Sequence, residues 1–173
     1  MWRLLTGPLL HGSLMHFLMN GTALLALGIA VERLAGWPRL LLVFCTSAVA
    51  GSLASLFLLP NTPSVGASGG ILGLIGLLLV IGWRRQSVLS RSFLRSILIG
   101  VALTALVGIV GFEFIDNAAH LGGFLGGIVC GLMLVSRGPE VLPLRTSRWL
   151  IAAGALATSL IVSTAALAIA KML

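Results

Sequence analysis

Six apolar runs, each long enough to cross a hydrocarbon layer, constrain this chain more than any other feature. They cover residues 14–31, 40–59, 65–83, 94–112, 117–135 and 149–170, with short connections between them. A bilayer core about 30 Å thick needs roughly 20 apolar residues at a helical rise of about 1.5 Å each. Lipid offers no partner to an open backbone, so runs of this kind must be helices. Only 9% of the residues are charged, where a soluble domain has about a quarter. The expected class is an all-α, polytopic membrane protein, one bundle of six transmembrane helices. Pairs such as Gly122-Gly123 and Gly126-Gly127 inside the runs let helix backbones approach closely.

Loop charge orients the bundle. Arg33, Arg39, Arg84, Arg85, Arg91, Arg95, Arg137, Arg145 and Arg148 fall on one side, side B, with Trp37, Trp83 and Trp149. Side A, where the chain begins, holds only Arg3 and Lys171. By the positive-inside rule side B is cytoplasmic. The net charge of +7 is then topology with some affinity for anionic membrane lipid, and not a nucleic-acid footprint. Cys45 and Cys130 lie inside apolar runs without metal-ligand spacing and read as buried small residues. The start of the chain has no cleavable signal pattern.

The unusual polar residues gather at the side-A ends of the runs. Gly66-Ala67-Ser68-Gly69 follows the turn-like Pro60-Asn61-Thr62-Pro63-Ser64 and opens an apolar run, so Ser68 stands at a helix N-terminus. Free amides and the positive end of the helix dipole favour developing negative charge there. His11 precedes the first run, His16 and Asn20 share one face of it four residues apart, and His120 stands one turn into the fifth. Ionisable groups at this depth are costly and mark a watery cavity or a site. Taken singly, Ser68 reads equally as a close-packing patch and Asn20 as an interhelical hydrogen-bonder. Taken together, they fit acyl transfer. In that chemistry Ser68 would be the nucleophile and His120 the best base candidate, and the His16 and Asn20 side chains with the Ser68 amide could supply donors to an oxyanion. Asp116 either orients His120 or is an ordinary acid at a helix start. His11 is either a loop residue or a water-organising neighbour. Pro8 and Pro63 read as loop punctuation.

Four pieces in this order resemble the rhomboid intramembrane serine proteases of the bacterial kind. They are Trp2-Arg3, the stretch from His11 through His16 to Asn20, Gly66-Ala67-Ser68-Gly69, and Ala119-His120 continuing through Gly123 to Gly127. The resemblance covers about three-quarters of the chain. It implies a Ser68/His120 dyad without an acid, an oxyanion hole of His16, Asn20 and the Ser68 amide, and no metal or cofactor. Arg3 would belong to the first external loop, and Glu32 would be a structural acid at a helix end. Gly123 and Gly127 would pack the His120 helix on the Ser68 helix, with Gly66, Gly69 and His11 in support. The substrates implied are single-pass membrane proteins, cut near the outer face after lateral entry past residues 94–112.

The family core has a helix before the Trp-Arg loop, where this sequence starts. Residues 1–136 would then be a rhomboid membrane domain incomplete at its N-terminus, and 137–173 a cytoplasmic loop with an extra helix. The first dozen residues, with Leu4, Leu5, Leu9 and Leu10, would lie along the outer interface. The chain as written should be poorly stable or weakly active. A detergent-purified sample that matches a full-length homologue in thermal stability and turnover would refute this. Two other classes remain. A proteolytically silent rhomboid-like protein that holds membrane clients would typically lack Ser68 or His120. A transporter would place its polar groups near the midplane between repeats, and none are visible.

Overall fold

The computed structural model describes residues 3–61, 63–85, 89–111, 115–136 and 144–170. Its helices, in chain order, are α1 (Arg3–Thr6), α2 (Leu14–Ala35), α3 (Trp37–Leu58), α4 (Ser68–Arg84), α5 (Arg91–Val110), α6 (Asn117–Leu134) and α7 (Arg148–Ala170), with a 3₁₀ turn at Gly7–Leu9 after α1. Among the described residues there is no strand.

Five of these helices are long and apolar enough to cross a membrane, and α4 is a shorter apolar helix of 17 residues. At about 1.5 Å per residue, α4 reaches roughly 25 Å, the low end of a spanning length. The expected start of this segment at 65 is corrected to Ser68. Gly66 takes a φ of +119°, a backbone open to glycine and strained for other residues, so the chain turns there before the helix can begin.

A helix apolar all round belongs inside a bundle, and α4 does so: its residues from Gly69 through Leu78 are buried, with Leu74, Leu77 and Leu78 fully so. α6 and α3 supply its main walls, and α6 is also packed closely on α3. Small residues explain the closeness. A Cβ on Gly123 would collide with the Gly69 peptide, and one on Gly127 with the Gly73 peptide. On the neighbouring edge of α6, a Cβ on Gly122 would stand 2.9 Å from Ala50 O of α3. α3 answers with Ser47, Gly51 and Ser55, all buried. α5 stands apart, with only Ile97 and Gly108 buried. Near side A it is joined to α6 where the Asn117 side chain donates to Gly108 O at 2.9 Å.

Three side-B arginines close helix ends. The Arg84 guanidinium donates to Leu132 O at 2.7 Å and to Val135 O, and Arg85 donates to Ser136 O at 3.0 Å. Arg39, only 5% exposed, donates to Ala35 O at 2.9 Å and Arg145 O at 2.7 Å. Cations at helix C-termini satisfy orphan carbonyls and complement the dipole, so these charges staple the bundle. Trp37, Trp83 and Trp149 are exposed at the same end, where aromatic rings suit an interface. The lead-in differs from the expected surface-lying segment: Thr6, Gly7 and Pro8 are buried, because the turn dips against α3 and the loop before Ser68.

Candidate active site

Ser68 is the first residue of α4, and the cap position of that helix, Ala67, makes no side-chain cap hydrogen bond. Alanine is a poor cap, so the amides of the first turn are left to other acceptors. The site is sunk in the bundle. Gly69 faces Gly51 of α3, seven residues before that helix ends at Leu58, or about 10 Å below its rim.

His120, the fourth residue of α6, faces this N-terminus. Its Nε2 lies 2.8 Å from Ser68 Oγ, a hydrogen-bond distance for a hydroxyl donating to an unprotonated ring nitrogen. The approach depends on the small residues below it: Gly123 sits on Gly69, and Gly51 lies so near Ala119 that a Cβ there would stand 2.6 Å from Ala119 O. Asp116 occupies the N-cap of α6, where its Oδ1 accepts from the Ala119 amide at 2.8 Å. Of the two readings left open for it, helix capping is the one with a hydrogen bond.

His16 and Asn20 reach the loop that leads into Ser68. A Cβ on Gly66 would lie 2.6 Å from His16 Cε1 and 3.5 Å from Asn20 Nδ2, so the two side chains occupy the space that Gly66 leaves empty. Asn20 is buried, and among the described residues its Nδ2 has no hydrogen-bond partner. His11 packs edge-on to His16, ring centroids 5.1 Å apart, and its Nε2 is buried without a partner among the described residues. Burial first, and then the neighbouring His16, hold the His11 imidazole below its ordinary range.

The remaining expected residues fall into place less directly. Glu32 lies in the last turn of α2 with its side chain exposed, and its carbonyl accepts from Gly36 N at 2.8 Å. Arg3 opens α1, but its side chain, like Trp2, lies outside the described residues. So do Phe112, Arg137 and Lys171. Cys45 and Cys130 are free and half-buried. The sequence reading missed Gly7, whose carbonyl accepts the Gly66 amide at 3.0 Å, and Gly51. Gly51 carried a signal, the Ser47-Gly51-Ser55 spacing of small residues along one face; the Gly7 bond, made by backbone alone, carried none.

Residues 1–137 match the family model of the Rhomboid domain. The chain belongs to the rhomboid family. It is 38% identical over 137 residues to Rhomboid protease GluP of Bacillus subtilis (strain 168), covering 77% of this chain and 26% of that protein. It is 35% identical over 136 residues to RHOMBOID-like protein 4 of Arabidopsis thaliana, covering 79% and 34%. Inactive RHOMBOID-like protein 8 of the same plant is 33% identical over 125 residues, covering 72% and 35%. The chain thus spans about a quarter to a third of the length of these relatives. Membership of the family and the apolar helices make it an integral, multi-pass membrane protein.

Proposed function

We propose that this rhomboid-family chain is an intramembrane serine endopeptidase of the bacterial type, cutting single-pass membrane proteins near the outer membrane face. The observation that carries the reading is the 2.8 Å approach of His120 Nε2 to Ser68 Oγ at an uncapped, sunken helix N-terminus. A serine hydroxyl is a weak nucleophile until a base takes its proton. In this reading Oγ attacks the scissile carbonyl carbon as its proton moves to Nε2. The carbonyl oxygen becomes an oxyanion beside the Ser68 amide, Asn20 Nδ2 and His16. The C–N bond then breaks, the proton on Nε2 passes to the leaving amine, and water repeats the sequence on the acyl-enzyme. The buried Asn20 Nδ2, without a partner among the described residues, supports its role as a donor.

Asn20→Ala should therefore lower kcat by about 100-fold, the usual effect of losing one oxyanion donor, with KM nearly unchanged. Single-turnover cleavage of a model substrate measures this. A loss seen only in KM would assign Asn20 to substrate binding.

Lateral entry of substrate past α5 is supported by the sparse burial of that helix. The arginines on side B support a cytoplasmic side B and a site facing outward, and the likeness to a Bacillus subtilis protein supports residence in a bacterial inner (cytoplasmic) membrane. The second reading, a proteolytically silent protein that binds membrane clients, is favoured by the likeness to Inactive RHOMBOID-like protein 8. Cleavage of a single-pass substrate in proteoliposomes, with the chain and with Ser68→Ala, separates the two. The protease reading expects cleavage and labelling of Ser68 by a fluorophosphonate, both abolished in the variant. Client binding without either signal would support the silent protein.

A further inference from the structure

Residues 144–170 lie beyond the family match, yet they are tied to the bundle at three levels. At the corner where α2 meets α3, the Leu144 amide donates to Leu34 O at 3.0 Å and the buried Arg39 guanidinium grips Arg145 O at 2.7 Å. Further along, Gly154 lets α7 rest on the start of α3, since a Cβ there would stand 2.7 Å from Pro38 Cα. Near its middle, Leu160, Ile161 and Thr164 share an apolar crevice with Leu4, Leu5 and Leu9 of the lead-in.

The lead-in in turn holds the loop that presents Ser68. The Gly66 amide donates to Gly7 O at 3.0 Å, and a Cβ on Gly7 would stand 3.2 Å from Ser64 O. α1 is four residues long, too short to be stable alone, so its position comes from what packs on it. Those neighbours are α3 and α7.

We infer that α7 is a brace for the Ser68 loop. It acts through the lead-in, which it wedges against α3 so that the Gly7 carbonyl fixes the Gly66 amide. Gly154 and Gly7 are positioning residues in this arrangement and touch no reacting atom. Gly66 also backs onto His16 and Asn20, so release of this hydrogen bond would unsettle both the nucleophile and its neighbouring donors. The consequence for Ser68 reactivity rests on the protease reading; the packing does not.

Amide hydrogen exchange of the whole chain in lipid nanodiscs tests it, comparing the parent with Gly154→Ala and Gly154→Leu. Exchange of the Gly66 amide should accelerate by about tenfold or more, in the order parent, alanine, leucine, the scale of losing one backbone hydrogen bond. The interiors of α4 and α6 should keep their protection, and fluorophosphonate labelling of Ser68 should slow in the same order. Unchanged Gly66 exchange in both variants would overturn the inference. Protection lost throughout the bundle would also overturn it, because α7 would then be general support. Should Gly154→Leu fail to fold, the smaller Gly154→Ala decides. A failure of the protease reading looks different: Ser68 is unlabelled even in the parent, while Gly66 exchange still responds.

Discussion

His120→Ala should abolish cleavage of a membrane substrate, by at least about 10⁴-fold, while leaving the fold intact. The size follows from the role of a base that activates a hydroxyl: removing either member of such a pair removes nearly all of the covalent route. The fold should survive because His120 is half-buried at the first turn of α6, and that helix is held by Gly123 and Gly127 further along. Labelling of Ser68 by a fluorophosphonate should fall with cleavage, since the probe needs the same activated oxygen. Asp116 supplies the control. It caps the Ala119 amide, so Asp116→Asn, which can still cap, should keep most of the activity. Asp116→Ala should cost about 1 kcal/mol of stability, the usual value of an N-cap. Activity and melting temperature measured on all three variants check this. If Asp116→Asn lost as much activity as His120→Ala, the acid would be orienting the imidazole and the two-residue mechanism would be wrong.

The sequence made the helices and the polar residues of the site legible for one reason. In lipid, apolar length and intramembrane polarity are both expensive to violate, so each leaves a local trace. Ser68, His120, His16 and Asn20 could be placed at one depth from their positions in apolar runs alone. What was not legible depends on contacts between distant segments. The charge pattern assigned every side-B arginine to topology, but Arg39 and Arg84 cap helix-end carbonyls and Arg85 binds the Ser136 carbonyl just beyond α6, and nothing in a residue count distinguishes a bonded arginine from a free one. The three-residue delay before α4 begins comes from the positive φ of Gly66, and hydropathy is blind to it. The lead-in looked like an interfacial segment because its leucines were counted without the cleft that receives Thr6, Gly7 and Pro8.

Gly127→Val should cost more stability than any other single substitution considered for this chain, and it should take activity with it. A Cβ at this position collides with the Gly73 peptide. Backbone cannot rotate away as a side chain can, so α4 and α6 must separate. Overpacking of this kind costs about 1–3 kcal/mol in an ordinary core and sometimes more; two rigid helices leave little room to relax, so the upper part of that range is expected. The separation is transmitted to the site because Gly123 and Gly127 lie on the same α6 face as His120, about one and two turns below it. A displacement of about 1 Å at the 2.8 Å contact between His120 and Ser68 is worth on the order of 100-fold in rate. Two other glycines give the scale. Gly126→Ala meets Ala50 Cβ at 3.0 Å, a mild crowding that should cost little. Gly100→Ala in α5 meets nothing among the described residues within 4 Å, so it should be neutral or stabilising by up to about 1 kcal/mol through helix propensity. Thermal unfolding in detergent, followed beside the cleavage rate, should rank the three as Gly127→Val, Gly126→Ala, Gly100→Ala. A Gly127→Val protein with parental stability and rate would mean that α4 and α6 do not meet at this seam. The small-residue packing would then not be what brings His120 to Ser68.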